Sequence, residues 1–238
     1  MTRSIEPFEE ITTINDDHTL HAARARKLGL EEGSPGWSEW VKDYYRDVET
    51  YDWVDVADNL RGLESFFHRN RGRVVRKLVR RYQVADSPML DAGAGTGLNL
   101  RYLPTGSTAI DINPRNVTLL KQRFPNHRIE LGDIEALPFD DGSFGTVVCT
   151  EVLEHVPDPR MALSEFQRVL TQGGVLIGSV PARSMIWKLR FLSSTCPHSE
   201  PFHHEYLPSE VREMLDGWQI LRLSYSALRF NVMFVARR

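Results

Sequence analysis

At 238 residues the chain has room for one α/β domain plus an appendage, with a core large enough to need no staples. A formal net charge of −3 argues against a protein that holds nucleic acid by bulk charge. Two cysteines, Cys149 and Cys196, speak against a disulfide framework or a metal quartet and fit a reducing compartment. Residues 1–15 contain no apolar signal-peptide core, and no run of eighteen apolar residues occurs anywhere, so a cytoplasmic protein without a transmembrane segment is expected.

Residues 1–36 read as a polar arm, punctuated by Asp16-Asp17, Glu31-Glu32-Gly33 and Ser34-Pro35-Gly36, with a weak helix over 18–28. Residues 37–87 read as a helical cap segment. Trp37, Trp40, Tyr44, Tyr45, Tyr51 and Trp53 crowd into seventeen positions, and aromatics this dense bury area against something. Residues 66–82 read as one helix, with Phe67, Val74, Val75, Leu78 and Tyr82 at helical spacing. Arg69, Arg71, Arg73, Arg76, Lys77, Arg80 and Arg81 cover most of the rest of it. So basic a face over 69–81 invites an RNA reading, but a solvated face is favoured because the rest of the chain is acidic.

The organising stretch is Met89-Leu90-Asp91-Ala92-Gly93-Ala94-Gly95-Thr96-Gly97. A buried strand ends at 88–90, a glycine loop follows, and 98–103 is expected to be helical. Strand, loop and helix start together make a ligand seat, because glycine permits close backbone approach and a helix start offers unpaired N–H groups. A dinucleotide fingerprint would need its third glycine where Leu98 stands, and a Walker loop would need a lysine that is absent. The acidic residue before the first glycine, Asp91, suits an ammonium rather than a pyrophosphate. Asp91-Ala92-Gly93-Ala94-Gly95-Thr96-Gly97 resembles motif I of class I S-adenosylmethionine-dependent methyltransferases, and the likeness continues to Arg238 in the manner of the ubiquinone and menaquinone biosynthesis group.

Beyond the motif the α/β alternation is regular. Strands are expected at 108–110, 128–131, 146–150 and 175–180, and an antiparallel pair at 218–225 and 231–236. Asn113-Pro114 and Asp158-Pro159 start helices that reach about Phe124 and Leu170. Gly173-Gly174 is expected to end the second of these units, and a last helix spans 208–216. Residues 88–238 are therefore expected to form a doubly wound, mostly parallel seven-stranded sheet. By the resemblance its order is 3-2-1-4-5-7-6, with an N-terminal helical cap and a lid inserted at about 182–207.

The resemblance also assigns roles. Asp111, with Ile112, ends the second strand and looks like the ribose site, although an Asx turn before Asn113-Pro114 is compatible with it. Gly132-Asp133-Ile134 and the Leu137-Pro138-Phe139 that follows resemble the adenine segment, with Asp133 accepting the amino group and Ile134 beside the ring. Thr150, as the first residue beyond the fourth strand, is expected to touch the methionine part. Asp91, Ala92, Gly93, Gly95 and Gly97 complete the cofactor set. One departure is visible: Phe144-Gly145 stands where the family has Phe-Asp.

Methyl transfer needs a positioned nucleophile and, for a protonated acceptor, a base titrating near neutral pH. His155 is the first candidate, against a structural role for the Glu154-His155 pair; His203 and His204 are the others. No Asn/Asp-Pro-Pro-Tyr/Phe follows the fourth strand, which disfavours nucleobase and glutamine acceptors. Three histidines and Cys196 within 182–207 lack a second tight ligand pair, so no metal is expected. The implied activity is methyl transfer from S-adenosylmethionine to an O, N, S or C nucleophile of a small, partly apolar molecule, leaving S-adenosylhomocysteine. A cofactor-binding sensor and an RNA-directed enzyme are the alternatives.

Overall fold

The computed structural model describes residues 30, 34–48, 52–58, 62–184, 204–226 and 229–238. The expected helix over 18–28 and most of the expected lid, with His203, lie outside them.

Seven strands form one sheet in the order β3-β2-β1-β4-β5-β7-β6. They are β1 (Met89–Ala92), β2 (Thr108–Asp111), β3 (Arg128–Leu131), β4 (Phe144–Thr150), β5 (Leu170–Pro181), β6 (Gln219–Tyr225) and β7 (Asn231–Arg237). The first five pair in parallel, while β7 runs antiparallel to both β5 and β6. Strand residues alternate between two cores. Leu90, Ile110, Val147, Leu176 and Phe234 face one, and Met89, Ala109, Val148, Ile177 and Val235 face the other.

Three helices precede the sheet: α1 (Pro35–Asp47), α2 (Trp53–Asp58) and α3 (Gly62–Tyr82). Ser34 caps α1, its hydroxyl accepting from Trp37 N at 3.1 Å, and Trp37 and Val41 are the buried residues of that helix. Val75, Leu78 and Val79 seat α3 on one face of the sheet beside α4 (Pro114–Arg123). Against the other face pack α5 (Pro159–Val169) and α6 (Pro208–Met214), through Leu163, Phe166 and Val211. Among the described residues no helix is long and apolar enough to cross a membrane.

Several sequence expectations need correction. Residues 98–103 form a turn and a single 3-10 turn (Leu100–Tyr102), not a helix, because Pro104 forces Leu103 into extended backbone. Gly173-Gly174 does not end a unit: β5 starts directly after α5, and the residues after Leu170 bulge out before pairing resumes at Val175. The basic helix begins at Gly62, and Arg71 is buried in it, so the exposed cations are Arg73, Arg76, Lys77, Arg80 and Arg81. The last helix is shorter than 208–216, ending at Met214. The missing carboxylate at Gly145 has a steric cause, since a Cβ there would collide with Ser87 and Val84.

Candidate active site

The site lies at the carboxyl ends of the parallel strands, where the strand order reverses beside β1. Its floor is the glycine loop. Gly93 N and Ala94 N both donate to Ile110 O, at 2.9 and 3.0 Å, which ties the loop to β2. Gly93, Gly95 and Gly97 all have positive φ. Above Gly95 the loop is open: an added Cβ would meet nothing nearer than Trp53 Cδ1 at 3.9 Å.

Asp91 ends up beneath this loop, fully buried, and neither carboxylate oxygen has an aligned hydrogen-bond donor. Burial pushes its pKa up to about 7; Asn99 lowers it, the Asp111 charge raises it, and Arg71 and the Leu100 amide lower it. Arg71, 7% exposed, also approaches Glu151 Oε2 at 3.7 Å. Glu151 holds a left-handed backbone (φ 55°), and its Oε1 accepts from Ser179 Oγ at 2.7 Å. This acidic end of the site is thus balanced by one buried guanidinium.

Asp111 serves as a clasp. Its Oδ2 accepts from Gly95 N at 2.7 Å, and its Oδ1 accepts from Asn113 N and Asn116 Nδ2 at 2.9 and 3.1 Å. Burial raises its pKa and these three donors oppose the rise. The expected Asx turn is therefore present. Asn113 caps α4 with its oxygen and sends Nδ2 to the carbonyls of Tyr45 and Val48, at 3.1 and 3.0 Å, at the end of α1. Arg123 adds a second tie: it grips both Asp52 oxygens, at 3.0 and 2.6 Å, and donates to Thr96 O in the glycine loop.

Beyond β3 lies a cavity of about 310 Å³ lined by Ile112, Pro114, Leu131, Asp133 and, from α1, Arg46 and Asp47. Asp133 Oδ1 accepts from Glu135 N at 2.9 Å, and its Oδ2 pairs with Lys42 Nζ at 2.7 Å. Ile134 is buried behind it. Thr150 closes β4 rather than following it, and its Oγ1 accepts from Asn99 Nδ2 at 2.8 Å. At the outer rim the Tyr45 hydroxyl and His155 Nδ1 are hydrogen-bonded at 2.9 Å, and His155 Nε2 lies 3.7 Å from the buried Glu154 carboxylate. His204 is exposed; its amide donates to Glu154 O at 3.3 Å and its ring meets Tyr206 edge-on.

The structure thus brings together Asp91, Ala92, Gly93, Gly95, Gly97, Asp111, Ile112, Asp133, Ile134 and Thr150 along one strand edge. Lys42, Arg71 and Asn99 also reach these residues and were not singled out from the sequence for the site, whereas Trp53, over Gly95, belongs to the aromatic segment that was. Arg71 left a trace, since it falls four residues from both Phe67 and Val75, on the apolar face of its own helix.

Residues 90–178 match the family described as "Methyltransferase domain". They form a class I S-adenosylmethionine-dependent methyltransferase domain. The chain is 29% identical over 157 residues to a probable S-adenosylmethionine-dependent methyltransferase of Mycolicibacterium smegmatis, covering 64% of this chain and 58% of that protein. It therefore spans less than two thirds of that relative. A demethylmenaquinone methyltransferase of Chlorobaculum tepidum is 25% identical over 189 residues, 73% of this chain and 77% of the relative. The magnesium protoporphyrin IX methyltransferase of Synechocystis, solved with bound SAH, superimposes with a TM-score of 0.65 at 17% identity, over 84% of this chain and 99% of that one. At that identity the likeness is one of fold.

The methyl donor of the methyltransferase family is S-adenosylmethionine, and the donor set here fits it. Asp91 offers a buried carboxylate that lacks a counter-cation in hydrogen-bonding contact, the loop is open above Gly95, and Asp133 presents a carboxylate beside an apolar cavity wall.

Proposed function

We propose that this chain transfers the methyl group of S-adenosylmethionine to a nucleophile on a small, partly apolar molecule and releases S-adenosylhomocysteine. The observation that carries the reading is Asp91. A fully buried carboxylate with no aligned donor and no cation in hydrogen-bonding contact is costly unless it takes a proton or meets a cation, and the amino-acid end of the cofactor brings an ammonium. Asp111 Oδ2, with one donor already, retains a lone pair for a ribose hydroxyl, and Asp133 is the acceptor for the adenine amino group. Ile112 belongs with Asp111 at the ribose, Ile134 lies beside the ring, Ala92, Gly93, Gly95 and Gly97 supply backbone, and Thr150 touches the methionine part.

The bound cofactor supplies a sulfonium, so the methyl group arrives already activated. The chain's task is to align the acceptor behind that methyl, exclude water and remove a proton where the acceptor has one. His155 is the base in this reading. In the tautomer whose Nδ1–H donates to the Tyr45 oxygen, Nε2 is the nitrogen that takes the acceptor's proton, and Glu154 beside it stabilises the imidazolium. His204 is a second rim histidine, and His203 lies outside the described residues. Aromatic residues of α1, Tyr44 and Tyr45, provide apolar surface at the same rim. The relatives' names include demethylmenaquinone, thiol and malonyl-[acyl-carrier protein] methyltransferases, so they favour no single accepting atom.

The test is incubation of the protein with a cell extract and methyl-labelled S-adenosylmethionine, followed by mass spectrometry. A labelled small molecule formed only with the protein supports the reading. Retained S-adenosylhomocysteine binding with no labelled product across extracts would favour the sensor alternative.

A further inference from the structure

We propose that Lys42, on the cap helix α1, is a specificity-determining residue of the adenine seat, making it select a purine edge that donates over one that accepts; this rests on the cofactor reading above. Two independent observations carry it. The first is the cavity beyond β3, whose wall is composite. Ile112, Pro114 and Leu131 come from the sheet domain and Arg46 and Asp47 from α1, so the cap helix is itself part of the seat. Leu131 is 55% exposed, an unusual state for a large apolar side chain, and lies where a flat ring would cover it.

The second is the polar edge of that cavity. Lys42 Nζ bridges Asp133 Oδ2 and Glu135 Oε2. Glu135 is buried, and its other oxygen accepts from Asp158 N at 2.9 Å. Asp133 Oδ1 takes the Glu135 amide, so each oxygen of Asp133 is fixed by one donor and keeps a lone pair directed elsewhere. Burial works against the Lys42 charge, but the two carboxylates outweigh it and hold its pKa above the ordinary lysine range.

The ammonium therefore does two things. It fixes Asp133 beside a second carboxylate, and it orients the lone pairs that remain. An ionised, fixed carboxylate accepts strongly from an exocyclic amino group and repels a carbonyl oxygen at the same place. Without Lys42 the Asp133 carboxylate loses the cation that fixes its Oδ2 and can turn away from the seat. The preference for an amino-bearing ring would then fade. Because Lys42 is on α1, the same contact makes seat selectivity depend on a docked cap.

The experiment is calorimetric titration of the full chain with S-adenosylhomocysteine and with its deaminated analogue S-inosylhomocysteine, for the wild type, Lys42→Met and Lys42→Arg. Wild type is expected to prefer the amino-bearing ligand by at least about a hundredfold. Lys42→Met is expected to lose about tenfold or more of that ratio, chiefly through weaker S-adenosylhomocysteine binding. Lys42→Arg, which keeps the charge, is expected to restore most of it. A purely structural role for Lys42 would weaken both ligands equally, and an unchanged ratio in a folded Lys42→Met protein overturns the proposal. If wild type binds neither ligand, the cofactor reading falls and takes this proposal with it; if it binds both with a ratio that Lys42→Met leaves intact, only this proposal falls.

Discussion

Asp91 shows how much of the site is decided by one side chain's surroundings. Its raised pKa, about 7, means that the folded protein holds a proton there which the unfolded chain releases near 3.8. Between those values the native state binds more protons than the unfolded one, so stability falls as pH rises through this window. The full effect is on the order of 4 kcal/mol at most, complete above pH 7 and absent below about pH 3.8. Urea unfolding of wild type and Asp91→Asn at pH 5.5 and 8 is expected to show the variant gaining relative stability at the higher pH; a constant difference would contradict the assignment. Binding of a cationic amino-acid end should lower the same pKa, so S-adenosylhomocysteine binding at pH 6 should release close to one proton, readable by calorimetry in buffers of different ionisation heat. Asp111 gives a second expectation. Asp111→Ala removes the acceptor of Gly95, Asn113 and Asn116, and the resulting loss of affinity for S-adenosylhomocysteine, by calorimetry on the folded variant, is about 2–4 kcal/mol. His155→Gln is expected to slow turnover of the acceptor, once known, by about 10²–10⁴-fold with cofactor affinity nearly constant. At this scale the sequence was informative where a residue stands in a motif. The positions of Asp91, Asp111 and Asp133 at strand ends follow from the motifs, whereas the approach of Lys42 to Asp133 and of Arg71 to Glu151 comes from helices that reach them only in three dimensions.

At the scale of elements, the cap is fastened to the domain by side chains of the glycine loop's own neighbours. Asn113 holds the end of α1 and the start of α4 at once, and Arg123 joins Asp52 to the loop carbonyl of Thr96. Asn113→Ala therefore removes a helix cap and two hydrogen bonds donated to carbonyls together. A loss of about 1–2 kcal/mol in denaturant unfolding is expected, and a change of a few tenths would show that the cap is held elsewhere. The sequence supplied Asn113-Pro114 as a helix start, but no periodicity reveals that its amide nitrogen reaches 65 and 68 residues back. The failure at 98–103 has a similar cause. Leu100 and Leu103 stand three apart, as on one helix face, yet Pro104 and the inward pull of Asn99 on Thr150 leave room for one 3-10 turn. The bulge after Leu170 was hidden because two glycines read as a stop when they stand inside a strand.

For the molecule as a whole, the two alternating cores explain why the strand positions were readable and why the seat lies where it does. Period-2 burial on both faces leaves short apolar runs that are easy to place, and the reversal of strand order beside β1 opens the crevice that the glycine loop floors. The order itself came from resemblance, since nothing in a run of valines and leucines says which strand lies beside which. In the proposed reading the cap, Asp91, Asp111 and Asp133 serve one ligand, cationic at one end and bearing an amino-substituted ring at the other. The most direct test is calorimetric titration of the folded wild-type chain with S-adenosylhomocysteine. The expected result is saturable binding at one site per chain, abolished or strongly weakened in Asp111→Ala; no saturable binding by a folded wild-type protein would contradict it.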